Sequence, residues 1–163
     1  MTETKIDNPE AQVEVAEQAP ETQPKVAPKP TSESKSGYWW GTGRRKSSVA
    51  RVRIKPGSGK FVVNKKDLDD YFKREQDRSA VMAPLKAVKA EKLFDIFINV
   101  KGGGTTGQSG ASLLGIARAL KKYDDSYLPM LRDSGHLTRD PRMVERKKPG
   151  QSGARKKFQF SKR

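Results

Sequence analysis

From Ser48 to Lys55 the chain alternates, with Ala50, Val52 and Ile54 on one face and Val49, Arg51, Arg53 and Lys55 on the other. A period of two predicts a strand with an apolar inner face and a largely basic outer one. Pro56-Gly57-Ser58-Gly59 has turn chemistry, and Lys60-Phe61-Val62-Val63 reads as a returning strand, so the two predict a hairpin. Asp67 to Phe72 opens a helix, with acids in its first turn and Leu68, Tyr71 and Phe72 at helical spacing. Residues 79–92 are mixed, and Pro84 is placed to start a new helical turn. Leu93 to Val100 is the most apolar run and is short enough for a central strand. A glycine-rich loop, Gly102 to Gly110, follows it. Ser112 to Tyr123 then reads as a helix with Leu113, Ile116, Ala117 and Leu120 on one stripe, and a second helical piece, Asp125 to Asp133, ends at Gly135. Elements in this order predict an α+β sandwich, a mainly antiparallel sheet with helices on one face.

The pattern fails at both ends of the chain. Residues 1–36 are built from Glu, Gln, Pro, Ala, Thr and Ser, with seven acids against four lysines and no aromatic residue. Such a segment buries too little apolar surface to offset its ordering entropy and reads as a disordered acidic extension. Gly37-Tyr38-Trp39-Trp40-Gly41 marks the start of a folded domain that runs to residue 138. Residues 139–163 lose apolar periodicity and carry ten basic residues against two acids, which predicts an extended basic tail.

Charge then narrows the function. The chain has 34 Lys+Arg against 19 Asp+Glu and a formal charge of +15, which predicts an anionic partner. Without cysteine there is no disulfide framework, thiol nucleophile or CxxC metal site, and a single histidine gives no cluster for a metal or a Ser–His triad. No run approaches the ~18–20 apolar residues of a membrane span, and the acidic start is neither a secretory signal nor a transit peptide. The expectation is a soluble protein that needs no cofactor or metal.

Gly102, Gly104 and Gly107 match G-x-G-x-x-G between a predicted strand and a predicted helix, and Asp124 and Asp125 fall near the offset of a ribose-binding acid. The dinucleotide reading fails because no strand-like run follows Tyr123, and the P-loop reading fails for want of Gly-Lys-Ser/Thr. Glycines before a helix N-terminus still let backbone N–H groups approach a phosphate, or they serve only a tight strand-to-helix turn. His136 reads as a loop histidine. Asp69, Asp70, Asp124 and Asp125 fall in first-turn positions that the helix dipole explains without catalysis.

Three basic blocks remain: Arg44, Arg45 and Lys46 with Arg51, Arg53 and Lys55; Arg139 with Arg142, Arg146, Lys147 and Lys148; and Arg155-Lys156-Lys157 running through Phe158 and Phe160 to Lys162 and Arg163. Cations bind phosphate oxygens and aromatics stack on unpaired bases. Gly41-Thr-Gly-Arg-Arg-Lys46, Lys101-Gly-Gly-Gly104, Leu137-Thr-Arg-Asp-Pro-Arg142, Glu145-Arg-Lys-Lys148 and Gln159-Phe-Ser-Lys-Arg163 occur in that order. From Tyr38 to Arg163 the chain resembles the family of small-subunit ribosomal protein nine in its bacterial form; residues 1–36 lie outside the resemblance.

The resemblance implies a small two-layer α+β sandwich like the second domain of ribosomal protein five, on the cytoplasmic small subunit's head beside neighbouring head proteins. It implies that Arg44, Arg45, Lys46, Arg51, Arg53, Gly102, Gly103, Gly104, Arg139, Arg142, Arg146, Lys147, Lys148, Arg155, Lys156 and Lys157 face 16S-type rRNA. It further implies that Ser161, Lys162 and Arg163 reach the anticodon stem-loop of P-site tRNA. Charge alone also allows a non-ribosomal nucleic-acid-binding architectural protein, and the glycine loop a small nucleotide-using enzyme.

Overall fold

The computed structural model describes residues 36–161. The expectation of disorder in the acidic extension therefore falls, but for Ser36, outside the described residues. Strands β1 (Trp39–Arg45), β2 (Ser48–Pro56), β3 (Phe61–Val63) and β4 (Lys66–Asp67) come first, followed by helices α1 (Leu68–Tyr71) and α2 (Glu75–Ala87). Strand β5 (Phe94–Lys101), helix α3 (Thr105–Tyr123), a 3-10 turn (Asp125–Tyr127) and α4 (Leu128–Asp133) complete the order. The α+β class is as expected.

The sheet is mainly antiparallel as expected but corrects the expected hairpin. Its order is β1-β2-β5-β3-β4, so β2 and β3 are not a hairpin: β5 lies between them. β5 pairs antiparallel with β2 along its whole length and parallel with β3, which makes the sheet mixed. The Pro56–Gly59 segment crosses over the end of β5, held by a buried carboxylate. Asp95 Oδ1 accepts from the N–H groups of Ser58 at 2.9 Å and Lys60 at 3.0 Å, and the Lys55 ammonium lies 3.4 Å from Oδ2. Burial pushes the Asp95 carboxyl up, but the Lys60 and Ser58 N–H groups and the Lys55 ammonium outweigh it and hold the carboxyl below its ordinary value. β1 carries no strand signal in the sequence, because its inward positions after Trp39 are Gly41 and Gly43 and give no hydrophobic alternation.

Those glycines are where α3 packs. A Cβ on Gly41 would run into the carbonyl oxygen of Gly115, and one on Gly43 into that of Ala111. In return, a Cβ on Gly115 would lie 2.6 Å from Val52 Cγ2. The helix axis thus lies closer to the strands than side chains would allow, and dispersion contacts are made by backbone. This also corrects the helix start. The helix begins at Thr105, seven residues before Ser112, so Gly107 and Gly110 are helical and only Gly102–Gly104 form the loop. Glycine costs a helix about 1 kcal/mol per residue, which is why the sequence pattern stopped short; the tertiary packing overrides it.

Around this contact the core closes. Ala50, Val52 and Ile54 of β2 and Ile96 and Ile98 of β5 are buried against Ile116, Ala117 and Leu120. Tyr123 makes edge contacts with Trp39 and Phe94, each at 4.8 Å between ring centroids. Helix α2 runs unbroken through Pro84, another departure from expectation, since Pro84 sits in the last turn rather than starting a new one. Its buried stripe of Asp77, Val81, Pro84 and Leu85 packs on α3, and that packing tolerates the missing N–H. Gly135 (φ +70°) ends α4 as expected, with the His136 N–H donating to Leu131 O at 3.0 Å.

Gly43→Ala should destabilise by about 3 kcal/mol or abolish folding, because the colliding atoms are backbone. Gly104→Ala, with open space around it and φ −104°, should lose no more than about 1 kcal/mol, the cost of Ala at an N-cap. Chemical denaturation of both variants checks the contrast.

Candidate nucleic-acid interface

Strand register decides which cations share a surface. On the face turned away from α3, cross-strand partners form three rows: Trp40-Arg53-Phe97, Thr42-Arg51-Asn99 and Arg44-Val49-Lys101. The last two rows border a groove of about 650 Å³ lined by Arg44, Val49, Arg51, Asn64, Lys65, Asn99, Val100 and Lys101, with no acid among them. Asn64 and Lys65 turn the chain between β3 and β4 with φ of 47° and 68°. The Asn64 side chain accepts from the Val100 N–H at 2.9 Å and donates to Val100 O at 3.1 Å, adding a side-chain rung that continues β3 along β5. That rung fixes the turn, and Lys65 is presented at the rim. Asn64, Lys65 and Asn99 lie outside the three basic blocks of the sequence and Lys101 enters only through the Lys101–Gly104 motif; the register gathers them.

Acidic side chains sort the remaining cations into two groups. Arg53 is stacked between Tyr38 and Phe97, its guanidinium carbon 5.4 and 5.1 Å from the two ring centroids. Lys55 is held by Asp95, Arg45 and Arg142 by Asp140, and Arg155 by Glu145. The Arg142 side chain and N–H, and then Arg45, hold the Asp140 carboxyl well below the carboxylate range, and Arg155 lowers that of Glu145. Arg44, Lys46, Arg51, Lys65, Lys101, Arg139, Arg146, Lys147, Lys148, Lys156 and Lys157 have no ion-pair partner among the described residues. The sixteen positions expected to face rRNA are therefore not equivalent, and Arg45, Arg53, Arg142 and Arg155 already have protein partners.

The glycine loop is built for tight turning. Gly102 and Gly103 take φ of 73° and 65°, and a Cβ on Gly102 would lie 2.7 Å from Ser47 O. Ser48 Oγ and Gln108 Nε2 both donate to Gly102 O at 3.1 Å. Gly104 precedes α3 with no side-chain cap and no acid in the first turn. After α3 comes the 3-10 turn, where Asp124 Oδ1 accepts from the Ser126 N–H at 2.8 Å. No strand follows among the described residues 124–161, so Asp124 serves as a cap in a place where a dinucleotide fold would need a second parallel strand. His136 is half-buried in the loop after α4, and burial lowers its pKa.

From residue 139 to 161 the tail has neither helix nor strand and is mostly exposed. Phe158 and Phe160 are 67% and 95% exposed, an arrangement that costs apolar hydration unless a partner covers them. Ser161 is exposed at the end of the described residues; Lys162 and Arg163 lie outside them.

The model of the family described as Ribosomal protein S9/S16 matches residues 43–163. A small ribosomal subunit protein uS9 of Chlorobaculum parvum is 60% identical over 121 residues, covering 74% of this chain and 94% of the relative. Its counterparts in Chlorobaculum tepidum and Chlorobium limicola are 60% and 56% identical over the same length, with the same coverage of both chains. A small α+β body with surplus unpaired cations among the described residues and this kinship define a structural, non-enzymatic ribosomal protein, a component of the small ribosomal subunit. The chain belongs to the ribosomal protein S9 family.

The division of cations has a stability consequence. Arg53→Ala removes a cation held by two rings and should cost about 1–2 kcal/mol. Arg51→Ala, on the same strand and exposed, should stay within about 0.5 kcal/mol. Denaturant midpoints of the two variants are the check, and equal losses would contradict the division.

Proposed function

We propose that this protein binds small-subunit rRNA through the outer sheet face and the basic tail, and that the end of the tail contacts P-site tRNA. The observation that carries the reading is the set of unpaired cations: Arg44, Arg51, Lys65 and Lys101 around one acid-free groove, continued by the basic residues of the tail. A body from 37 to 138 supplies the rigid face, and 139–163 supplies reach. Lys46 at the β1–β2 turn and Gly104 with the open N-terminus of α3 extend the same surface. Arg139, Arg146, Lys147, Lys148, Lys156 and Lys157 neutralise phosphates along the tail, with Phe158 and Phe160 available for stacking on unpaired bases. Arg53, Arg142 and Arg155 act on RNA only through donors left over from their protein contacts. Neighbouring head proteins and 16S-type rRNA are the partners, with the anticodon stem-loop reached by Ser161, Lys162 and Arg163.

Two outcomes test this. Binding of the full chain to a transcript of the 3′ major domain of 16S-type rRNA should show a log–log salt slope of roughly −4 to −7, for about 6–8 neutralised phosphates. Replacing Arg44, Arg51 and Lys101 together by Gln should make that slope shallower by about 2–3; an unchanged slope removes the sheet face from the interface. Deleting residues 161–163 should leave subunit assembly intact and weaken P-site tRNA by about 1–3 kcal/mol, the loss of one or two charge-assisted hydrogen bonds. tRNA dissociation from programmed subunits measures it, and an unchanged rate removes the tRNA contact.

A further inference from the structure

Arg45 stands apart from the other cations of its block. It is the last residue of β1, and its guanidinium is turned inward rather than toward the groove. Nη1 donates to the Thr106 carbonyl, in the first turn of α3, at 2.8 Å. Nε donates to Asp140 Oδ2 at 3.0 Å, and Nη2 lies 3.0 Å from the same oxygen. The fork thus ties three segments together: the end of a strand, the start of a helix and the root of the tail.

The other side of Asp140 grips the tail itself. The Arg142 N–H donates to Asp140 Oδ1 at 3.0 Å, and its Nη2 donates to Oδ2 at 2.9 Å. One carboxylate therefore receives a body cation and a tail cation at once. The two ends of the link are unequally exposed: the Arg45 and Asp140 side chains are 21% and 22% exposed, whereas Arg142 is 77% exposed. Room for the Arg45 stem comes from α3, where a Cβ on Gly110 would lie 2.5 Å from Arg45 Cδ. A lysine has one point charge and no planar fork, so it cannot reproduce the two parallel contacts to Asp140 Oδ2 together with the one to the Thr106 carbonyl.

We propose that Arg45 is a positioning residue, a latch that fixes where and in which direction the tail leaves the body, and not an RNA contact. Three of its five N–H donors face protein acceptors, the Thr106 carbonyl and the Asp140 carboxylate, so a phosphate would have to displace Asp140 to take the fork. Held at Asp140, with Pro141 stiffening the next step, the tail starts from one point on the surface with part of its ordering already made. Free at that point, it would search a much larger volume before its cations met their phosphates.

The proposal rests on the reading that the tail binds rRNA, and the test separates the two. The chain has no cysteine, so paired spin labels at Lys86→Cys on α2 and Met143→Cys in the tail report a unique distance in the full-length free protein. The parent should give a narrow distribution. Arg45→Lys and Asp140→Asn should each widen it at least about twofold, as expected when a fork to a carboxylate is lost. Asp140→Asn lies in the tail, outside the hydrophobic core, and a denaturant midpoint equal to the parent's separates widening there from unfolding. Distributions as narrow as the parent's in both variants would overturn the latch. On the 3′ major domain transcript, Arg45→Lys keeps its charge and yet should bind about tenfold more weakly; parental affinity would return Arg45 to the charge-contact group and overturn the proposal. Failure of the parent chain to bind that transcript would count against the rRNA reading of the tail alone, because the distance is read without RNA.

Discussion

Everything in the body depends on how closely α3 approaches β1. Gly41 and Gly43 on the strand and Gly115 on the helix leave no side chain between the two backbones, and any Cβ there would meet a carbonyl, an amide or a valine methyl. The contact sets the height of α3 over the sheet, and with it the position of every residue that α3 carries. Ile116, Ala117 and Leu120 fall into the core, Gly104 falls at the open helix end, and the Thr106 carbonyl falls where Arg45 can reach it. Small residues thus do here what large ones do in most cores, by letting two backbones come together.

Having one face of the sheet occupied so tightly leaves the other free for charge. The strand period of two sends Arg44, Arg51 and Lys101 outward from the same strands whose inner positions make the core. A net charge of +15 repels itself, and the fold handles that in two ways. Some cations are given carboxylates or rings, at Asp95, Asp140, Glu145 and the Tyr38–Phe97 pair. Arg44, Arg51, Lys65, Lys101 and most of the tail's cations have no ion-pair partner among the described residues, the state in which counterions are most readily exchanged for phosphates. Surface ion pairs contribute little stability by themselves, so the Asp140 cluster matters for geometry more than for folding energy.

Much of this was legible in the sequence. Ala50, Val52 and Ile54 gave β2 its inner face, and the run from Leu93 gave a central strand, because alternation and apolar density are local signals. Pairing is not local. The Pro56–Gly59 turn looks like a hairpin turn, and only Asp95, distant in sequence, redirects it across the end of β5. β1 and the first turns of α3 were hidden for one reason: glycine carries no hydrophobic signal and lowers helix propensity, yet at Gly43, Gly107 and Gly110 it is required by close neighbours. The cations of the interface were visible as runs, whereas Lys65 joined them only through register, and Arg45 left them only through its contact with Asp140.

The central claim is that pairing within the protein sorts the cations, so that the unpaired ones meet RNA and the paired ones hold the protein together. A density map of the small subunit containing this chain tests it most directly. The account predicts phosphates within about 4 Å of Arg44, Arg51 and Lys101, with Arg45 still on Asp140 and Thr106. An outer sheet face open to solvent, or Arg45 withdrawn from Asp140 onto a phosphate, would contradict it.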